Sequence, residues 1–209
     1  MPKQPKLLIA TNNAGKVDEF RGILEGSGWQ VVAPADVDIS LDVDESGTTY
    51  LENARIKARA FAEASGLASL SDDSGLEVDA LNGEPGALHH LHGWDGVDRD
   101  DRIAILLRAM SHVPAGERSA RFRAVIVVAL PDGSEVDVEG TCEGEITEAA
   151  VGEGGFGYDP VFFLPERGVT MAQLTPEEKN AISHRAVAAA KIRDELRRLA
   201  ETAGADLTG

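Results

Sequence analysis

The sequence predicts an α/β protein, and three observations carry the prediction. Lys6 to Ala10 (KLLIA) is a short apolar run that breaks into a polar loop, after which Val17, Phe20 and Leu24 recur at helical spacing. Ile103, Leu106, Leu107 and Met110 fall at i, i+3, i+4 and i+7, which makes 98–110 an amphipathic helix. Ser119 to Leu130 (SARFRAVIVVAL) is rich in β-branched residues and apolar on both faces in its second half, as a central strand is. A chain of 209 residues with 43% hydrophobic content has material for one large domain or two small lobes.

The bulk numbers narrow the function. With 20 basic and 36 acidic residues the net charge is −16, which makes the surface a poor partner for nucleic acid or an anionic membrane. A small anionic ligand remains open where positive charge is concentrated locally. The single cysteine, Cys142, allows no internal disulfide and suits a reducing cytoplasm. No signal peptide is visible, and no apolar run approaches the roughly 18 residues a membrane span needs.

Taken in order, the first strand leads into Thr11-Asn12-Asn13-Ala14-Gly15-Lys16. Strand, glycine-containing loop and helix start present backbone N–H groups and a helix dipole to an anion, with Lys16 in reach. It is not a Walker A loop, since Ala10 stands where the first glycine belongs and Val17 where Ser or Thr should follow the lysine. A second strand is expected near Trp29–Ala33, then an acidic loop from Asp36 to Glu45. Thr49-Tyr50-Leu51-Glu52 fits a capping box for a helix over 50–64, with Leu51, Ala54, Ala58, Phe61 and Ala62 on its apolar face. Lys57, taken alone, reads as a solvent-facing lysine of that helix.

Ser71-Asp72-Asp73-Ser74-Gly75 lies between apolar runs and reads as a tight turn between two strands, displaying two adjacent carboxylates. Such neighbours repel unless a cation, a proton or N–H donors compensate them. The loop 82–86 precedes a segment holding His89, His90 and His92. Their spacing alone is weak evidence for zinc without cysteines or an HExxH pattern. Pro131-Asp132-Gly133 is a hairpin turn, with 135–143 returning as a half-exposed strand and 145–151 extending it.

Gly152 to Gly157 formally matches GxGxxG, but no helix can start into Tyr158-Asp159-Pro160 and no βαβ unit surrounds it. A glycine loop ending in Phe156, Gly157, Tyr158 and Asp159 suits the wall of a flat ligand with polar edges. Val161–Leu164 is one more strand. Thr175-Pro176-Glu177-Glu178 caps a short helix carrying Lys179. Ser183-His184-Arg185 opens a C-terminal helix with apolar Val187, Ala190, Leu196 and Leu199, followed by a disordered tail over about 203–209. Cations in that helix's first turn make sense where an anion occupies the end.

Local positive charge beside carboxylates is the equipment for chemistry on a polyphosphate. Here the chain resembles the inosine triphosphate pyrophosphatases. The matching stretches are TNNAGK at 11–16, ESGTTYLENARIKA at 45–58, SDDSGLEVDAL at 71–81, GGFGYDPVFF at 154–163 and LTPEEKNAISHR at 174–185. The resemblance implies a single domain over 1–209, a twisted mixed β-sheet flanked by helices, in two lobes with a central cleft. It implies a Mg²⁺-dependent homodimer that cleaves ITP, dITP and XTP to monophosphate and pyrophosphate. Thr11 to Lys16 then match the triphosphate loop and Lys57 a phosphate-reaching lysine. Asp73 matches the general base, and Glu45, Asp72 and Asp73 the metal ligands. Ser74 lies next to the substrate, Phe156 to Asp159 around the base, and Lys179, His184 and Arg185 at the base edge and phosphates. The chain departs from the family where Leu91 replaces an arginine, leaving cleft contacts from that loop in doubt. A pyrophosphatase for pyrimidine or modified nucleotides, and a nucleotide-binding protein with impaired catalysis, are the competing expectations.

Overall fold

The apolar run after Lys6 forms β1 (Lys6–Ile9), whose last three residues are all buried. It pairs in parallel with β2 (Gln30–Val32) and with β3 (Ala68–Val78), Leu8 standing opposite both Val32 and Ser69. Parallel neighbours require crossovers. These are α1 (Ala14–Ile23) and α2 (Tyr50–Ser65), the latter closed by Gly66 in the left-handed region at φ 67°. The computed structural model describes residues 4–87 and 98–206; the histidine segment and Leu91 lie outside the described residues.

The described strands form one mixed seven-stranded sheet in the order β2-β1-β3-β4-β5-β6-β7, with β4 (Ser119–Ala129) in the middle. β5 (Glu135–Ile146) returns from the turn at Gly133 and ends short of Val151. Two short strands complete the sheet, β6 (Phe162–Leu164) and β7 (Val169–Thr170), both antiparallel to their neighbours. The pair β6–β7 around the turn at Gly168 is legible only in part, because two residues are too few for a pattern. The helices α3 (Arg99–Ala109), α4 (Pro176–Ile182) and α5 (His184–Asp206) follow the expected positions. On α5 the buried residues include His184, Ala188, Ala189, Ile192 and Leu196, while Ala190 is exposed. The helix continues to Asp206, into the segment expected as a tail.

Two further expectations change here. Ser71 to Gly75 is not a turn: it lies within the unbroken 11-residue β3. Turn-forming residue types yield here to pairing along the sheet. The second concerns the capping box of α2. Thr49 accepts from the Glu52 N–H at 3.2 Å, but the Glu52 carboxylate takes the Thr48 N–H at 2.7 Å and the Thr48 hydroxyl at 2.8 Å. Those bonds hold the Glu52 acid below its ordinary value.

The chain divides into two compact units, Met1–Asp73 with Val125–Glu139 and Val187–Gly209, and Ser74–Ala124 with Gly140–Ala186. The first has a core of Leu8, Ala10, Val32 and Phe61. The second is built around Leu76, Leu106, Met110, Phe122 and Phe162, the last two rings with centroids 4.4 Å apart. Arg118, 6% exposed, donates to the carbonyls of Met110, Val113, Ile146 and Thr147 and so joins the end of α3 to the end of β5.

Burial in the second core pushes the Cys142 thiol from 9.0 up to about 11, with the Glu143 charge adding to the shift. A raised value means the folded protein resists ionisation. Its contribution to stability is complete below pH 9 and is lost as pH rises through 11. The melting temperature is therefore expected to fall across pH 9–11, less so in Cys142→Ala, and the native thiol to resist a disulfide reagent at pH 8.

Candidate active site

The first unit gathers the phosphate-loop and acid residues. Asn13 caps α1, its side-chain oxygen accepting from the Gly15 and Lys16 N–H groups at 2.9 and 3.4 Å. The Asn13 N–H is itself held by the Thr11 hydroxyl at 3.2 Å, and Asn12 reaches the Leu41 carbonyl at 3.0 Å. Ala14 is the first residue of the helix. Lys16 turns back and pairs with Asp72, Nζ to Oδ1 2.9 Å, and the Asp72 side chain is only 3% exposed.

Because β3 is a strand, Asp72 and Asp73 project to opposite faces of the sheet. They are not a paired acid site in the sense that adjacency suggests. Asp72 belongs with Lys16. Asp73, half-buried, accepts from the Asn53 amide at 3.2 Å.

Lys57 overturns the solvent-facing expectation. Its ammonium donates to the Asp72 carbonyl at 3.1 Å and pairs with Glu45 at 2.8 Å, with its side chain 15% exposed. Burial of a lysine on a helix is decided by what stands opposite, which helical spacing does not encode.

Asn53 is a residue the sequence reading missed. It is 2% exposed, takes the Gly47 N–H on its oxygen at 2.8 Å and uses its amide nitrogen on Asp73. A Cβ at Gly47 would stand 2.6 Å from the Asn53 oxygen, so this approach requires glycine. A polar residue four places after the Thr49 cap, on the helix's buried side, was the available signal.

Mg²⁺ takes oxygen ligands, usually one or two carboxylates with water and phosphate completing the shell. Among the described residues no three Asp, Glu, His or Cys side chains form a ready-made cage. Glu45 and Asp72 nevertheless meet a common ammonium, that of Lys57, the first through its carboxylate and the second through its carbonyl. Their hard oxygens fit a cation of this kind in donor type.

The second unit holds a different arrangement, a cavity of about 180 Å³ lined by Ser74, Arg102, Phe156, Tyr158, His184 and Arg185 among others. Phe156 is 54% exposed, with the Lys179 ammonium 3.9 Å and the Arg185 guanidinium 5.4 Å from its ring centroid. Asp159, 2% exposed, fixes this loop: its Oδ2 accepts from the Phe156 N–H at 2.7 Å and from Lys179. Gly157, at φ 56°, makes the turn between the two aromatics. Arg185 donates to the Ser74 hydroxyl at 3.4 Å. His184 stacks on Phe122 with ring centroids 5.1 Å apart. Burial raises the Tyr158 phenol to about 12, so it is a neutral hydroxyl at working pH. The sheet-and-helix fold defines an α/β protein, with lysines knotted to carboxylates in the first unit and a cation-lined aromatic pocket in the second.

The model of the Ham1 family matches residues 7–195. A dITP/XTP pyrophosphatase of Geobacillus kaustophilus is 49% identical over 192 residues, covering 91% of this chain and 93% of that protein. A Ham1 protein of Coxiella burnetii superposes with a TM-score of 0.86 at 35% identity, over 93% of this chain and 99% of that one. A nucleoside-triphosphatase / dITP/XTP pyrophosphatase of Mycobacterium abscessus is 42% identical with a TM-score of 0.75, over 90% and 98% of the two chains. This chain belongs to the Ham1 family.

Proposed function

We propose that the chain hydrolyses nucleoside triphosphates to the monophosphate and pyrophosphate, with the deaminated purine nucleotides ITP, dITP and XTP as substrates. The observation that carries this reading is the knot of Lys16 and Lys57 on Asp72 and Glu45, with Asp73 standing beside it on the sheet's other face. In a protein of net charge −16, these lysines and the amides capped by Asn13 supply the local positive charge a triphosphate requires. The names of the close relatives point the same way.

In the proposed reaction a water attacks the α-phosphorus in line. Asp73 accepts the water's proton as the new O–P bond forms, and the bond from the α-phosphorus to the bridging oxygen breaks. Lys16 and Lys57 offset the charge that grows on departing pyrophosphate. Glu45 and Asp72, whose oxygens meet at the Lys57 ammonium, would hold Mg²⁺, which when bound neutralises phosphate oxygens. Asp73, on the sheet's other face, keeps the role of base rather than that of the third metal ligand the resemblance implied. Thr11 to Lys16 seat the phosphates; Phe156 to Asp159, Lys179, His184 and Arg185 take the base, with Ser74 beside the substrate. A cytoplasmic homodimer completes the reading, and light scattering on the purified chain tests the dimer.

The deciding experiment is pyrophosphate release from ITP, XTP, dUTP, dTTP, ATP and GTP, with Mg²⁺ and after chelation. Release from ITP and XTP that disappears on chelation is expected. Release confined to pyrimidine nucleotides, or ITP binding without release, would replace the reading.

Asn53 provides a further check. A second carboxylate at that position faces Asp73 at hydrogen-bond distance, and like charge disfavours ionisation. Asn53→Asp is therefore expected to move the acid limb of the kcat/KM profile to higher pH, while Asn53→Ser leaves that limb nearer its original position.

A further inference from the structure

Two ammonium groups stand among the acids of the first unit. Lys16 meets the Asp72 carboxylate at 2.9 Å, while Lys57 meets the Glu45 carboxylate at 2.8 Å and the Asp72 carbonyl at 3.1 Å. The two lysines and two acids sum to no net charge. Much of the knot is shielded from water: the Lys57 side chain is 15% exposed and that of Asp72 3%. Each charge is compensated inside the protein, where an uncompensated one is costly.

That neutrality opposes either ligand arriving alone. A divalent cation drawn to the oxygens of Glu45 and Asp72 meets an ammonium already donating to both residues. A triphosphate drawn to the lysines meets carboxylates that repel it. Together the two ligands remove each other's obstacle, because a lysine that turns to phosphate oxygens leaves its acid to the metal. Lys57 is suited to such an exchange, with its donors at the end of a flexible four-carbon stem.

Building on the pyrophosphatase reading, we propose that Lys57 is an internal competitor of the divalent cation, holding its oxygens until a triphosphate draws the ammonium away. Metal and triphosphate then favour each other's binding by about tenfold or more, as a coupling between sites does. The same side chain thereby keeps the metal from settling on the acids in the absence of substrate.

The test reads binding rather than turnover, with melting curves recorded for every variant. Mn²⁺ suits the same carboxylate and carbonyl oxygens as Mg²⁺ and is followed by electron paramagnetic resonance in a titration without nucleotide. Lys57→Met is expected to bind Mn²⁺ about tenfold or more tightly than wild type, with Lys57→Gln as a second neutral variant where methionine does not fold. Arg59→Met removes the same charge from the same helix at a side chain 63% exposed, so screening should keep it within about twofold of wild type. The reciprocal arm titrates α,β-methylene ITP in EDTA. Glu45→Gln is expected to bind this analogue about tenfold or more tightly than wild type, and the exposed control Glu63→Gln about as wild type does. Mn²⁺ binding in the Lys57 variants no tighter than in Arg59→Met overturns the proposal, as does analogue binding in Glu45→Gln no tighter than in Glu63→Gln. Pyrophosphate release from ITP is read separately: both binding shifts without release uphold the competition while the pyrophosphatase reading fails.

Discussion

Asp73→Asn is expected to lower kcat for ITP by roughly 10³-fold, the scale of a positioned general base, with little change in melting temperature. The amide has nearly the shape of the carboxylate and can turn its oxygen toward the Asn53 donor now 3.2 Å away, so the local structure has no reason to move. What it loses is the ability to accept a proton from water. Pyrophosphate-release kinetics beside a thermal melt separate these effects. Turnover within tenfold of wild type would remove Asp73 from the centre of the reaction. Asp72→Asn is expected to behave differently, because it removes a carboxylate only 3% exposed that neutralises Lys16 at 2.9 Å, and so should cost stability as well as activity.

Gly155→Ala carries the second large effect. Gly155 stands at φ 68°, where an alanine costs about 1–2 kcal/mol. Its Cβ would lie 2.0 Å from Asp159 Oδ2, the oxygen that holds both the Phe156 N–H and Lys179. The carboxylate must then move, and disrupting a buried ion pair costs about 3–5 kcal/mol. The expected outcome is a melting temperature lowered by several degrees and ITP turnover reduced on the order of 10²-fold. Melting and steady-state kinetics on the same preparation check both. Gly157→Ala gives a comparison: it shares the strained φ, at 56°, but its Cβ meets nothing within 4 Å.

Much of this was legible in the sequence because the relevant physics is local. The caps at Thr49 and Thr175, the amphipathic period of α3 and the apolar length of β4 depend on neighbours within a few positions. The glycines beside Phe156 marked a loop of unusual backbone. What was missed depends on partners far along the chain. Asp72-Asp73 has the composition of a turn, but it continues a strand that pairs with β1 as far as Leu70 and lies against the central strand β4 on its other side. Lys57 looks like any helix lysine until Glu45 and the Asp72 carbonyl stand opposite. Asn53 and Arg102 sit on helices whose apolar pattern hides them: one is buried for its hydrogen bonds, and the other lines a cavity assembled from six separate segments of chain.

The sheet's borders bear on how the protein meets copies of itself. Its outermost strands are three residues long at β2 and two at β7. So little unpaired backbone offers a poor template for another chain to add to, and continuous sheets across molecules are disfavoured. Crowded, concentrated solutions should therefore stay free of fibrous assembly at these borders. The proposed dimer, in turn, must be sought on side-chain surfaces of helices and loops, where single substitutions can break it without touching the hydrogen-bond ladder.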